Sequence, residues 1–153
     1  MRVFGSAPGE GRPWFHVARL AEIARARDRI WLSAGYFVPT PRESAELAQA
    51  ALRGVDVRLL LPGVTDAPPA THAQRASYGP LLEAGVRIAE VRDSVLHAKL
   101  AVVDGAWSAI GSSNLDRRSA AWNNEVDAVL LGPEAAALEG AMGRVYRTRL
   151  PGQ

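Results

Sequence analysis

The chain has 153 residues, enough for one domain with a true hydrophobic core. Its 18 Lys plus Arg against 16 Asp plus Glu leave a net charge of +2, which suits an anionic partner but is too small to distinguish a lipid phosphate from a nucleic acid. The absence of cysteine excludes disulfides, thiolate catalysis and thiolate zinc sites, and no run of about 18 apolar residues is present to cross a bilayer.

Read in chain order, apolar residues at Trp14, Val17, Leu20, Ala21 and Ala24 predict an amphipathic helix over 14–28. A short strand, Arg29–Ala34, follows and stops at Gly35. Pro41 suits the first turn of a second helix that runs through Leu52 and closes at Gly54. Val55–Leu61 reads as a buried strand ending at Pro62-Gly63. After Pro68-Pro69 a third helix is expected, with Tyr78, Leu81 and Leu82 on one face and Gly85 as its stop. Pro80 inside it implies a kink or a late start. Val86–Val91 is a strand. Leu96–Val103 and Ala106–Gly111 form a hairpin across a two-residue Asp104-Gly105 turn. Residues 112–123 are a polar loop, Glu125–Leu131 a strand and Pro133–Arg149 a final helix. Strands separated by helices, then a hairpin, predict an α/β sandwich whose mixed sheet is flanked by helices, in one domain over residues 1–153.

The hairpin carries the chemistry. Side chains two apart on a strand share a face, so His97 and Lys99 project together. With a two-residue turn, Val103 pairs with Ala106, which puts His97 opposite Ser112 and Lys99 opposite Ile110, with Asn114 just beyond. Lys99 is the one lysine among the 18 basic residues. In an arginine-rich chain that marks a place where a compact ammonium is wanted. Each residue also has an ordinary explanation: a packed strand histidine, a turn aspartate at Asp104, turn formers at Ser112 and Asn114. The whole string is what stands out: His97-x-Lys99, four residues, Asp104, six residues, then Gly111-Ser112-x-Asn114.

That string resembles the signature of the phospholipase D superfamily at every defined position. The segments Asn114-Leu115-Asp116-Arg117-Arg118-Ser119 and Asn123-Asn124-Glu125 are similar to those after the second signature of bacterial cardiolipin synthases. Tyr36-Phe37-Val38-Pro39 resembles the aromatic-proline motif of the same half. The resemblance spans roughly residues 3 to 148 and implies a phospholipase D-like fold. It further implies transfer or hydrolysis of a phosphatidyl group through a phosphohistidine, without metal or cofactor. Lys99, Ser112 and Asn114 would hold the phosphate oxygens. Glu125 would orient the histidine as the aspartate of a serine-protease triad does. Asp104 and Gly111 would be structural, and Tyr36 and Arg118 would contact substrate. His16 and His72 stand isolated, with no metal-ligand spacing.

Family members join two such signatures, and a chain with a single lysine holds one. The expected partners are therefore a phospholipid, a peripheral membrane surface on the bacterial cytoplasmic side, and a second half-site. That half-site would come from a preceding domain or from a second copy of the chain. The alternatives are a homodimeric nuclease acting on nucleic acid, and a half-domain with no catalytic partner. The residues do not tell which histidine of the pair attacks and which protonates, nor which alcohol accepts.

Overall fold

The structure, a computed structural model, describes residues 1–7, 14–64, 68–116 and 122–149. Its centre is a seven-stranded mixed sheet built from β1 (Arg2–Ser6), β2 (Arg29–Ser33), β4 (Asp56–Pro62), β5 (Arg87–Val91), β6 (Leu100–Val103), β7 (Trp107–Gly111) and β9 (Glu125–Leu131), in the order β1-β9-β7-β6-β2-β4-β5. The β2, β4 and β5 strands run parallel, and every other neighbouring pair is antiparallel. A separate parallel pair joins β3 (Phe37–Val38) to β8 (Leu115–Asp116).

Strand alternation decides which layer each side chain enters. Ile30, Leu32, Val57, Leu59, Leu61, Ala101, Val103, Trp107, Ala109 and Val129 face one way. They pack against Phe15 and Ile23 of α1 (Trp14–Arg25), Leu47 of α2 (Pro41–Leu52) and Leu81 of α4 (Tyr78–Glu83). Trp31, Leu60 and Val102 face the other way, onto Met142 and Tyr146 of α5 (Pro133–Arg149). The Tyr146 hydroxyl is satisfied by donating to the carbonyl of Leu32 at 2.7 Å, so a large aromatic is buried without an orphaned polar atom. The result is the sandwich of helices around a mixed sheet.

Local signals explain most element ends. Thr40 caps α2 in a reciprocal box with Glu43, and Pro41 occupies the first turn, where its missing N–H costs nothing. The third expected helix is two: α3 (Pro68–Ala76), then α4, in which Pro80 falls in the first turn and breaks no helical hydrogen bond. Helix α1 ends at Arg25 rather than residue 28, because the amides of Arg27, Asp28 and Arg29 are used elsewhere. Three strands, β1, β3 and β8, escaped the sequence pattern: β1 is held by β9, and β3 and β8 hold each other.

The hairpin departs from its expected register. Val103 pairs with Trp107, not Ala106, and Leu100 pairs with Ile110. Asp104 and Gly105 both have positive φ, and Ala106 N–H still closes the turn onto Val103 at 3.2 Å. The carbonyl of Ala106, however, accepts the N–H of Gly132 at 3.1 Å, which keeps Ala106 on the β9 side as an extra residue. The pairing therefore shifts by one, and Lys99 faces Gly111, whose N–H it accepts at 3.3 Å. The strand predicted over Leu96–Val103 also starts late, at Leu100. Its other neighbour, β2, ends at Ser33, opposite Leu100, so the ladder with β2 stops at Leu100 and only the Ser33 hydroxyl reaches further, to the Ala98 carbonyl at 3.4 Å.

Candidate active site

Asp104 is the anchor of the hairpin. Its carboxylate accepts three backbone N–H groups at 2.9 Å each, from Arg27, Asp28 and Arg29, in the connection between α1 and β2. Burial pushes this carboxyl up, but the three amides and the Arg29 charge outweigh it and hold the group below the usual carboxylate range. The donors it binds lie far along the chain from the turn. Asp104 ties the tip of the β6–β7 turn to the start of β2 and so sets where both strands emerge.

At the other end of those strands three side chains converge on Gly35. A Cβ built there would stand 2.9 Å from Lys99 Nζ, 3.1 Å from His97 Nδ1 and 3.4 Å from Asn114 Oδ1. The convergence that register alone could not deliver is thus achieved by a third segment, the turn after β2. Gly35 was read only as a strand terminator; its signal is position, immediately before the aromatic-proline motif. The amides of Gly35 and Tyr36 both donate to Asn114 Oδ1 at 3.0 Å. With its oxygen so occupied, what Asn114 offers an anion is its NH2 group. Tyr36 contributes to the site through this backbone N–H.

Lys99 donates to the backbone carbonyl of His97 at 2.6 Å, which folds the lysine side chain back toward the His97 main chain. Partial burial lowers the Lys99 ammonium from its ordinary value, while the charges of Glu125 and Asp116 work the other way. His97, Lys99, Ser112, Asn114 and Glu125 all line one open depression of about 610 Å³, together with Gly111, Trp122, Asn123 and Asn124. Arg118, a further sequence candidate, lies outside the described residues.

Glu125 and Ser112 are bonded to each other. Glu125 is buried, and its carboxylate accepts from Ser112 Oγ and from Asn123 Nδ2, the latter at 3.1 Å, rather than engaging the imidazole of His97. A serine hydroxyl has a single hydrogen. Glu125 takes it, and Ser112 Oγ itself accepts Val126 N–H at 3.0 Å, so the Ser112 side chain is bound to β9 on both counts.

Sequence reasoning also missed Asp127. It is 3% exposed and binds Ser113 twice, through the hydroxyl and through N–H at 3.2 Å. Burial raises its carboxyl above the usual range, and the bonds from Ser113 pull back without cancelling that. Gly111 is explained here too: a Cβ would stand 2.2 Å from Asp127 Oδ1 and 2.5 Å from the Val126 carbonyl. Nothing larger than glycine fits. His16, read as isolated, lies 3.4 Å from the buried carboxylate of Glu43.

The profile of the family described as cardiolipin synthase, PLD-like domain, matches residues 20–141. The chain belongs to this phospholipase D-like family. Among curated relatives, cardiolipin synthase A of Serratia proteamaculans is 38% identical over 130 residues, covering 85% of this chain and 27% of that protein. Cardiolipin synthase of Geobacillus kaustophilus is 42% identical over 126 residues, 81% of this chain and 25% of the relative. The chain therefore spans about a quarter of the curated phospholipase D-like proteins it matches. Among solved structures, Nuc from Salmonella typhimurium, a phospholipase D family member, superposes with TM-score 0.77 at 22% identity, covering 97% of this chain and 93% of its own. Phosphatidylserine synthase of Haemophilus influenzae gives TM-score 0.69 at 15% identity over 97% of this chain and 38% of its own. These likenesses establish the phospholipase D fold. No helix among the described residues is long and apolar enough to cross a membrane.

Proposed function

We propose that this chain is one half-site of a cardiolipin synthase-type phosphatidyltransferase acting on phospholipid. The observation that carries the reading is the convergence of His97, Lys99 and Asn114 over Gly35. It sets an imidazole beside one ammonium and one amide donor, a set matched to a phosphodiester in which attack at phosphorus builds charge on the non-bridging oxygens. One imidazole attacks phosphorus as the bond to the departing alcohol breaks, and a second imidazole gives that alcohol its proton. The acceptor alcohol then attacks the phosphohistidine, passes its proton to the second imidazole and frees the first. His97 is one of the two. Lys99 and Asn114 hold the oxygens throughout, and no step calls for a metal.

The second imidazole comes from another half-site. Cardiolipin synthase relatives roughly three times as long as this chain support a companion domain in one polypeptide. The match to Nuc over 93% of its length supports a second reading, in which two copies of this chain complete the site. Trp122, 72% exposed among the residues that line the depression, is the kind of side chain that sits at a headgroup boundary. It suits a peripheral approach to a membrane surface. Among the described lining residues Lys99 is the one cation.

The test, run with the second half-site supplied by the companion domain or by a second copy, is incubation with phosphatidylglycerol vesicles, and separately with plasmid DNA, both in EDTA, with His97→Ala as control. Phosphatidyl transfer or hydrolysis that is insensitive to EDTA and absent in the variant is the expected result. Turnover retained by a folded His97→Ala protein overturns the assignment. Cleavage of DNA alone transfers it to nucleic acid.

A further inference from the structure

Against the backbone of Asn114 lies a buried pair of charges that the mechanism above does not use. Arg19 of α1 is 3% exposed and Glu43 of α2 is 0% exposed. Arg19 Nη2 donates to Glu43 Oε1 at 3.1 Å. The same guanidinium reaches the backbone carbonyl of Asn114, with Nη2 at 3.4 Å and Nη1 at 3.5 Å. Its flat face lies over the ring of Phe15, 5.4 Å from the centroid. Glu43 in turn is fixed by the α2 cap, its Oε2 accepting from Thr40 N at 2.8 Å and Thr40 Oγ1 at 3.0 Å.

Such a pair is a poor device for stability. Taking two charges out of water costs more than their attraction returns unless every donor and acceptor is satisfied, and apolar side chains of like volume often serve the fold as well. Arg19 Nε lacks a partner here, so the satisfaction is incomplete. What an apolar pair could not supply is a rigid fork joining the capped end of α2 to the main chain at Asn114. The backbone of Asn114 is then held from below by Arg19, while its side chain is held from above by the amides of Gly35 and Tyr36. Two independent grips on one residue fix the direction of its NH2 group to within the tolerance an oxyanion donor needs.

We infer that Arg19, braced by Glu43, is a positioning residue that aims Asn114 at the substrate phosphate. The inference rests on the phosphodiester reading of the site, but the positioning itself is measurable without turnover.

The experiment compares the wild-type chain with the double variant Arg19→Met/Glu43→Met and with Arg19→Lys. It reads thermal unfolding, hydrogen exchange at the Gly35 and Tyr36 amides, and affinity for inorganic phosphate by titration calorimetry. The double variant should unfold no earlier than wild type. Exchange at the two amides should nonetheless rise on the order of tenfold, because the acceptor they bond is no longer held. Phosphate should bind several-fold more weakly, and wherever turnover is measurable kcat should fall on the order of 10- to 100-fold with KM little changed. Arg19→Lys keeps the charge without the fork and should show the same amide signature. Wild-type protection of Gly35 and Tyr36 in a folded variant overturns the inference. So does failure of both variants to fold, which would make Arg19 a structural residue. If the amides respond but wild-type protein binds no phosphate, the phosphodiester reading fails while the positioning of Asn114 stands.

Discussion

The side-chain oxygen of Asn114 accepts the backbone N–H of Gly35 at 3.0 Å, and this bond decides which end of the amide meets a substrate. Asn114→Asp is the sharp test. A carboxylate would accept the Gly35 and Tyr36 amides at least as well, so the fold should be retained. Its second oxygen, however, would replace a donor with a negative charge facing the phosphate. Turnover should fall about 100-fold or more, the scale of losing one oxyanion donor, with little change in melting temperature. Steady-state kinetics beside a thermal melt checks it, and near-normal turnover would remove Asn114 from the anion cradle.

Two glycines of the site should respond differently to a methyl group. At Gly35 the added carbon meets the ends of flexible side chains, Lys99 Nζ and His97 Nδ1, which can swing away. Gly35→Ala should therefore fold and lose at least about tenfold in turnover through misplacement of the reacting groups. At Gly111 the carbon meets the backbone of Val126 and Asp127 as well as the Asp127 carboxylate. Gly111→Ala should lower stability by about 1–3 kcal/mol, the cost of overpacking. Chemical denaturation of the two variants, with turnover of the first, separates the effects.

Asp104 makes a pH-dependent contribution whose sign follows from its environment. Its carboxyl is held below the ordinary range in the folded chain. The stability it supplies is thus fully present above the unfolded value of about 3.9 and is lost as pH falls through the folded value. Asp104→Asn should be less stable than wild type by about 1–3 kcal/mol at neutral pH, where charged acceptors of backbone amides count most. The gap should narrow progressively in acid below about pH 4. Urea denaturation at pH 7 and at successively lower pH measures it. A constant gap would mean the charge is not what holds the turn.

How far the sequence could be read depended on whether a feature was local. The α2 boundaries follow from Thr40, Pro41 and Glu43 alone, and β9 and α5 from their own patterning, so these were legible. The β1 strand was not, because Val3 and Phe4 alone make no pattern and the strand exists through its ladder with β9. The hairpin register failed for a similar reason. Asp104-Gly105 reads as a two-residue turn, and only the pull of Gly132 on Ala106 adds the third residue. Within the site, His97, Lys99 and Asn114 could be picked out by type and spacing. Gly35, Asp127 and the buried Arg19–Glu43 pair could not, since a glycine, a strand aspartate and two helix charges look ordinary until distant segments close around them. Glu125 could be picked out too, but its bond to Ser112, just past the end of the neighbouring strand, could not.

Lys99 gives the last prediction, and it bears on why an arginine-rich chain has a single lysine there. The ammonium sits 2.9 Å from where a Cβ on Gly35 would be and donates to the His97 carbonyl at 2.6 Å, so the space suits a compact point charge. A planar guanidinium needs more room and would displace His97 or Asn114. Lys99→Arg should keep the charge yet lose on the order of 100-fold in kcat/KM through misalignment. The pH profile distinguishes this from lost charge. Burial lowers the Lys99 ammonium in the wild-type chain, so the alkaline limb of kcat/KM should fall below the ordinary lysine value of about 10.4. In Lys99→Arg that limb should disappear, because the guanidinium stays protonated throughout the range. An alkaline limb that survives unchanged in the variant would assign it to another group and deny Lys99 its role on the phosphate.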